Sequence, residues 1–215
     1  MINRSLKITL SLITISILIV FSYLVFFSEP TTSEETQIES KTLEKIKNIT
    51  EGNENASVEI LIFESLTCPH CAVFHSDIYP DLKKNFIDKS LVKIQFKSFP
   101  LDIVALDASK IAHCKNDGKS DILHFLYNNQ SIWLKGEAVE QLNVNLKNII
   151  DKGDFGIDFN KCINNEIIEN HILEDRIESA KKFKIDSTPT IIINNKKFDK
   201  PLTYKNLKKA IEKLI

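Results

Sequence analysis

The chain has 215 residues, which allows one domain of ordinary size with an insertion. Its formal net charge of −1 at pH 7 argues against nucleic acid as a partner, because phosphate recognition depends on an excess of Lys and Arg. Its apolar fraction of 43% is that of a globular protein.

The N-terminal residues have the features of an export signal. Arg4 and Lys7 precede an uncharged stretch from Ile8 to Phe27, about the length that a helix needs to cross a bilayer. This charge pattern places the bulk of the chain outside the cytoplasm. Residues 1–28 are therefore a cleaved signal peptide or a retained membrane anchor, and the lack of a clear A-x-A-like site favours the anchor. Both alternatives predict a periplasmic protein, either soluble after cleavage or tethered to the inner membrane.

Residues 29–55 are polar and predict a linker. Plain disorder is the alternative for its first part. The loose helical spacing of Ile38, Leu43, Ile46 and Ile49 predicts a short helix at its end.

Residues 56–100 predict the first part of an α/β domain. The apolar run Val58–Phe63 is typical of a central strand, and Cys68-Pro69-His70-Cys71 follows it at the start of a helix. We expect this helix to run to about Tyr79 and to be kinked or ended by Pro80. Alternating apolar residues in Leu91–Lys97 predict a second strand. A strand–helix–strand order requires a right-handed crossover, so the two strands should be parallel.

Residues 101–172 predict a helical block without strands. Apolar residues recur there at helical spacing in four segments, which are Ile103–His113, Asp121–Asn129, Glu137–Ile150 and Phe159–Ile172.

Residues 173–215 predict the second part of the α/β domain. A helix over Glu174–Lys184 should lead back to the sheet, followed by a hairpin that turns at Asn194-Asn195, since asparagine tolerates positive φ. Its strands are predicted over Ile191–Ile193 and Lys196–Phe198. Thr203 is expected to cap a last helix over Tyr204–Ile215.

The two thiols of Cys68 and Cys71 are spaced to close a small disulfide ring. The unpaired N–H groups at a helix start would stabilise a thiolate on Cys68, and Pro69 suits the first helical turn. His70 could offset the thiolate charge through an N–H group or its cation, although it could also face solvent without a role. These features favour disulfide exchange.

The alternative interpretation of the CxxC motif is half of a zinc site. Such a site needs two more ligands. Neither Cys114 nor Cys162 has a second cysteine close to it in the sequence. Four histidines also form no ligand pair at the usual spacing; they are His75, His113, His124 and His171. We therefore expect no metal and no cofactor.

Cys114 and Cys162 both lie in the helical block, and the predicted export places them in an oxidising compartment. A structural disulfide between them is expected. Two buried free thiols are the alternative, because cysteine is a good small core residue.

Three segments resemble a known family, the DsbA-type thiol:disulfide oxidoreductases of the bacterial cell envelope. They are Phe63–Cys71 with its CPHC motif, Lys97–Leu101, and Ser187-Thr188-Pro189-Thr190-Ile191. The resemblance is greatest to a branch that is commonly tethered to the membrane. It covers about residues 56–215 and implies an α/β thioredoxin fold with an inserted helical domain.

The resemblance implies a role for each motif residue. Cys68 would be the exposed nucleophile and Cys71 its buried resolving partner. The bond between Thr188 and Pro189 would be cis, in a loop that faces Cys68 and pairs with an extended substrate. The implied activity is donation of the Cys68–Cys71 disulfide to reduced exported proteins, with re-oxidation by a membrane partner resembling DsbB.

Two departures from the family bear on this interpretation. The buried carboxylate that thioredoxins keep six residues before the first cysteine is replaced by Ile62, with Glu64 and Glu59 offset by two and three positions. Threonine before the proline also occurs in disulfide isomerases. An isomerase or reductase of the same fold is therefore the first alternative, and an exported metal-binding module is the second.

Overall fold

The computed structural model describes residues 16–23 and 45–215. The chain divides into two compact units, Met1–Glu44 and Lys45–Ile215. In the first unit, residues 16–23 are helical, while the rest of the predicted leader and the linker positions Ile38 and Leu43 lie outside the described residues. Across the two described ranges, no helix combines the length and the apolar character that a membrane crossing needs.

The second unit is built on a five-stranded mixed sheet. Its strands are β1 (Ile49–Gly52), β2 (Val58–Glu64), β3 (Val92–Ser98), β4 (Thr190–Ile193) and β5 (Lys196–Lys197), in the order β1-β3-β2-β4-β5. The β2–β3 pair is parallel, as the crossover rule predicted, and the other pairs are antiparallel. β2 lies at the centre of the sheet, which explains its nearly continuous apolar sequence.

The strand β1 corrects the prediction that residues 29–55 are a linker ending in a helix. Ile49 is buried and pairs with Phe96 on the outer side of β3. This pairing satisfies backbone groups of β3 that would otherwise form an open edge. Its stabilisation exceeds the weak helical preference that the spacing of the apolar residues indicated. Gly52 ends the strand with φ +95, where a Cβ atom would lie 2.2 Å from the Val92 carbonyl oxygen.

The helical path after Cys68 does not end at Pro80, contrary to one predicted alternative. It consists of α1 (Pro69–Val73), the π-helical turn π1 (Phe74–Ile78), α2 (Tyr79–Leu82) and the π-helical turn π2 (Lys83–Ile87). In π1 the Tyr79 N–H donates to the carbonyl of Phe74, five residues back. Such a wide turn lets the path accommodate Pro80, which has no N–H to donate.

The helices of the inserted block connect β3 to β4. They are α3 (Ile103–His113), α4 (Asp121–Asn128), α5 (Gln130–Trp133), α6 (Val139–Gly153), α7 (Phe159–Ile163) and α8 (Glu166–Phe183), and α9 (Tyr204–Ile211) follows the sheet. From β2 onwards, the element order is the one that the resemblance implies.

The predicted helix over Phe159–Ile172 was wrong, because the chain breaks there into α7 and α8. The side chain of Asn165 accepts hydrogen bonds from the N–H groups of Ile167 and Ile168 and so caps a new helix. α8 then continues through residue 172, where we had expected a boundary between the block and the second part of the α/β domain. The short helix α5 was not predicted.

The hairpin of β4 and β5 turns at the predicted residues. Asn194 and Asn195 have φ values of 44° and 65°, and both are therefore left-handed, as a two-residue turn of this kind requires. Thr203 caps α9 by accepting a hydrogen bond from the N–H of Asn206 at 3.2 Å.

Candidate active site

Cys68 occupies the position immediately before α1. Its backbone is extended, with φ −75° and ψ 121°, and Pro69 begins the helix. The Cys68 carbonyl accepts hydrogen bonds from the N–H groups of Cys71 and Ala72. Its Sγ atom lies 3.3 Å from the carbonyl oxygen of Thr188, to which it donates. Both Cys68 and Cys71 are free thiols in the structure.

The expectation that Cys68 is exposed was wrong, since only 7% of the residue is accessible. The carbonyl of Thr188 lies against its sulfur, and Gln130 of α5 braces its backbone. The Gln130 side-chain amide donates to the carbonyls of Leu66 at 2.8 Å and Cys68 at 3.0 Å. Cys71 is fully buried, as the resemblance implies.

The loop that faces Cys68 contains the Thr188–Pro189 peptide bond, which is cis. Thr190 holds this loop through a hydrogen bond of 2.7 Å from its hydroxyl to the carbonyl of Ser187. The Thr188 hydroxyl is buried. The structure thus brings Thr188 next to Cys68, and a role in substrate binding stays a prediction.

His70 and Pro69 are both exposed on α1. Within the described residues, the imidazole of His70 makes no hydrogen bond and no ion pair. Its influence on the redox chemistry stays a prediction.

A buried carboxylate lies close to Cys71, at a position that the sequence left in doubt. Side chains at positions two apart on a strand share a face, so Glu64 lies on the same face of β2 as Ile62, and Glu59 on the opposite face. Burial raises the pKa of the Cys71 thiol, and the negative charge of Glu64 raises it further. Glu64 is thus a buried carboxylate whose charge acts on the buried thiol.

Glu64 is held by His75 of π1, whose Nε2 lies 2.7 Å from Glu64 Oε2. His75 in turn stacks on Tyr127 of α4, with ring centroids 3.9 Å apart. Burial raises the pKa of the Tyr127 phenol, as does the charge of Glu64, so the phenol stays neutral. Sequence reasoning missed His75, although its position four residues after Cys71 places both on one helix face.

The expected cysteine pair of the helical block is a disulfide in the structure. Cys114, just after α3, is bonded to Cys162 of α7, with Cα atoms 5.4 Å apart. It lies in the inserted block and has no CxxC spacing.

No group of three or more His, Cys, Asp or Glu side chains is placed to hold a metal ion within residues 16–23 and 45–215.

Comparison with known proteins places these features in a family. A family model described as Thioredoxin matches residues 44–213, which is most of the chain. The chain therefore belongs to the thioredoxin family.

One solved structure and two relatives show which proteins with this fold the chain is similar to. The crystal structure of Wolbachia pipientis alpha-DsbA1 matches with a TM-score of 0.70 and 27% identity, over 78% of this chain and 90% of that chain. Disulfide bond formation protein D of Bacillus subtilis is 26% identical over 171 residues, which is 75% of this chain and 74% of that protein. A Rickettsia prowazekii protein named as a protein-disulfide oxidoreductase is 28% identical over 170 residues, 76% of this chain.

The chain spans only 60% of the length of the Rickettsia prowazekii relative. The comparisons confirm the predicted resemblance to DsbA-type thiol:disulfide oxidoreductases and the thioredoxin fold with a helical insertion.

Proposed function

We propose that the chain is an exported enzyme that donates the Cys68–Cys71 disulfide to reduced proteins of the cell envelope. The observation that carries this proposal is the position of the Cys68 sulfur, at the start of α1 and 3.3 Å from the Thr188 carbonyl. A fully buried Cys71 lies one turn further along the helix. This arrangement would supply one thiol for a substrate and a second, buried thiol to resolve the mixed disulfide.

The reaction balances in two steps. A substrate thiolate attacks Cys68 Sγ, the Cys68–Cys71 bond breaks, and the Cys71 sulfur takes up a proton because burial raises its pKa. A second substrate thiolate then attacks the substrate sulfur of the mixed disulfide, and Cys68 leaves as a thiolate. The substrate has lost two electrons to the enzyme, and a membrane partner resembling DsbB would remove them again.

Donation requires that the enzyme prefers its reduced form. Cys68 precedes α1, and the aligned peptide dipoles of a helix place partial positive charge at its start, which would favour an anion on the Cys68 sulfur. A stabilised reduced form makes the disulfide a strong oxidant, and a stable thiolate is also a good leaving group. The backbone at Thr188 would hold an extended substrate peptide across Cys68, as an added strand pairs with a sheet edge.

Export rests on the sequence of residues 1–28, as a cleaved signal peptide or an inner-membrane anchor. Thr188 before Pro189 favours a second candidate, an isomerase or reductase of the same fold.

One experiment separates the candidates. The oxidised protein is mixed with an unfolded, reduced secretory substrate without another oxidant, and substrate thiols are counted with time. We expect the loss of two substrate thiols per enzyme disulfide, and no loss with the Cys68→Ala variant. A substrate that stays reduced beside an intact Cys68–Cys71 disulfide would contradict donation. Recovery of a scrambled substrate by the reduced protein would identify the isomerase.

A further inference from the structure

A line of four hydrogen-bonded side chains begins at Glu64 and leads away from the cysteines. His75 Nε2 lies 2.7 Å from Glu64 Oε2, and its Nδ1 lies 3.0 Å from Nδ1 of His124. His124 Nε2 lies 2.7 Å from Glu51 Oε1. The four residues come from β2, π1, α4 and β1, so four separate elements are packed to make one continuous line.

The line runs from the interior to the surface. The side chains of Glu64 and His75 are 2% and 1% exposed, whereas those of His124 and Glu51 are 19% and 14% exposed. His124 and Glu51 line an open cleft of about 630 Å³. The inner end is the carboxylate whose charge raises the pKa of Cys71, and its Oε1 is buried without a hydrogen-bond partner in the described part of the chain.

The hydrogen count of the line suits proton transfer. If both Nε2 atoms donate to their carboxylates, the contact between the two Nδ1 atoms needs one further hydrogen, and the histidine pair carries one positive charge. Moving one hydrogen from His75 Nε2 to Glu64 gives a neutral pair, a neutral Glu64 and the same number of hydrogens. The two arrangements differ only in where protons lie.

Glu51 anchors the outer end as an anion. Burial alone would raise its pKa, but hydrogen bonds from His124, Ser120 and Tyr79 together lower it to about 2. Glu51 therefore does not keep a proton at neutral pH. A proton that leaves His124 Nε2 therefore passes to water in the cleft.

We propose that Glu64, His75, His124 and Glu51 form a proton path that connects the buried Cys71 thiol with water in the cleft during disulfide exchange. This inference deepens the proposed function and rests on it. The path serves Cys71 because that residue is fully buried and has no direct access to water.

Before Cys71 reacts, the line holds one hydrogen fewer than in these two arrangements. Glu64 is then an anion, and the histidine pair is neutral with hydrogens on His75 Nδ1 and His124 Nε2, so His75 Nε2 can accept a proton. When the Cys71 thiol attacks a mixed disulfide on Cys68, its proton passes to Glu64, the Cys71–Cys68 bond forms, and the partner leaves as a thiolate. Glu64 passes the proton to His75 Nε2, the hydrogen on His75 Nδ1 moves to His124 Nδ1, and His124 Nε2 releases a proton to the cleft. The same transfers run in reverse when Cys71 is the leaving group.

Other titratable groups surround the path and contribute to its pH dependence. They are Cys68 just before α1, Tyr79 of α2, Lys83 of π2, Asp88, and Asp121 and Tyr127 of α4. None of them interrupts the line of hydrogen bonds.

The test follows the reaction of the reduced full-length chain with excess glutathione disulfide. The first step, attack by Cys68, depends on glutathione disulfide concentration, and the second step, attack by Cys71, does not. In His124→Phe we expect the second step to slow by about 100-fold between about pH 6 and 8, with the first step unchanged. The wild-type solvent isotope effect on the second step should change in this variant. His171→Phe, the same substitution in α8, is the matched control.

A second variant distinguishes loss of the proton path from a folding defect as the cause of a slower second step. His124→Ala opens the cleft, and added imidazole should restore its second step, which a merely structural role does not predict. Equal second-step rates and pH profiles in wild type and His124→Phe would overturn the path. Failure of imidazole to rescue a slowed His124→Ala would also overturn it. A wild-type protein that exchanges no disulfide at all would overturn the proposed function first, and the path with it.

Discussion

The sulfur of Cys68 and the carbonyl oxygen of Thr188 lie 3.3 Å apart, although 120 positions separate them in the sequence. The sheet makes this contact, because β2 and β4 are antiparallel neighbours and Phe63 pairs with Thr190. The end of β2 and the start of β4 therefore meet at one edge, where Cys68 and the cis-proline loop follow. Any group bonded to the Cys68 sulfur would lie beside the backbone of Thr188.

The first prediction concerns the resolving thiol. In Cys71→Ser, a mixed disulfide on Cys68 has no neighbouring thiol to attack it, so most of the enzyme should accumulate as substrate conjugates. Non-reducing electrophoresis of cells that express the variant, followed by mass spectrometry, would detect them. The double variant Cys68→Ser/Cys71→Ser should form none. Equal conjugation in the single and double variants would contradict the assignment of Cys68 as the nucleophile.

The second prediction concerns Glu64 and the ionisation of Cys71. In a Cys68→Ser background, thiolate absorbance in the ultraviolet reports Cys71 alone among the free thiols. Burial is the largest cause of its raised pKa and the Glu64 charge is the second, so Glu64→Gln should lower the pKa of Cys71 without restoring its ordinary value.

Glu59→Gln is the matched control for this titration, because Glu59 lies on the opposite face of β2. It should leave the Cys71 titration unchanged. Identical shifts in the two variants would show that Glu64 has no special electrostatic effect on the thiol.

The third prediction follows from the pKa of Glu51, which is lowered from 4.5 to about 2 in the folded protein. The unfolded chain binds more protons in that window, so this stabilisation is present above pH 4.5 and is lost as the pH falls towards 2. Glu51→Gln should lower the free energy of unfolding at neutral pH by about 1–2 kcal/mol after solvent screening. The free energy of unfolding of this variant should also fall less than that of wild type as the pH is lowered towards 2.

Urea denaturation across this pH range measures both effects. Glu54→Gln is the control, because Glu54 is an exposed carboxylate paired with Lys93. Its free energy of unfolding should stay within about 0.5 kcal/mol of wild type. A Glu51→Gln protein with the wild-type pH dependence would refute the prediction.

The fourth prediction concerns the Cys114–Cys162 disulfide, which closes a loop across 48 positions. Loop-closure entropy in the unfolded chain gives it a stabilisation of about 4 kcal/mol. In a Cys68→Ser/Cys71→Ser background, only this disulfide responds to a reductant. Urea denaturation with and without reductant should show the loss, and Cys114→Ala/Cys162→Ala with intact active-site cysteines should still exchange disulfides. Unchanged stability on reduction would contradict a structural role.

The sequence predicted the parts of the site that depend on local pattern. An apolar strand followed by Cys-Pro-His-Cys marked the end of β2 and the start of α1, and Asn194-Asn195 marked the hairpin turn. The two-position shift from Ile62 to Glu64 could also have been interpreted in advance, because positions two apart share a strand face.

The rest depended on long-range packing. His75 and His124 are 49 positions apart, and no spacing in the sequence indicates that their rings meet. The strand β1 forms because β3 offers an unpaired edge, which is a property of the sheet and not of residues 49–52. The burial of Cys68 likewise depends on Thr188 and Gln130, which join it only in the folded chain.

The reduction potential of the Cys68–Cys71 couple tests the central claim most directly. It is measured by equilibrating the full-length protein with glutathione buffers and trapping the free thiols. A disulfide donor should have a potential nearer to that of DsbA, about −120 mV, than to that of thioredoxin, about −270 mV. A potential as reducing as that of thioredoxin would contradict the proposal that this protein gives its disulfide away.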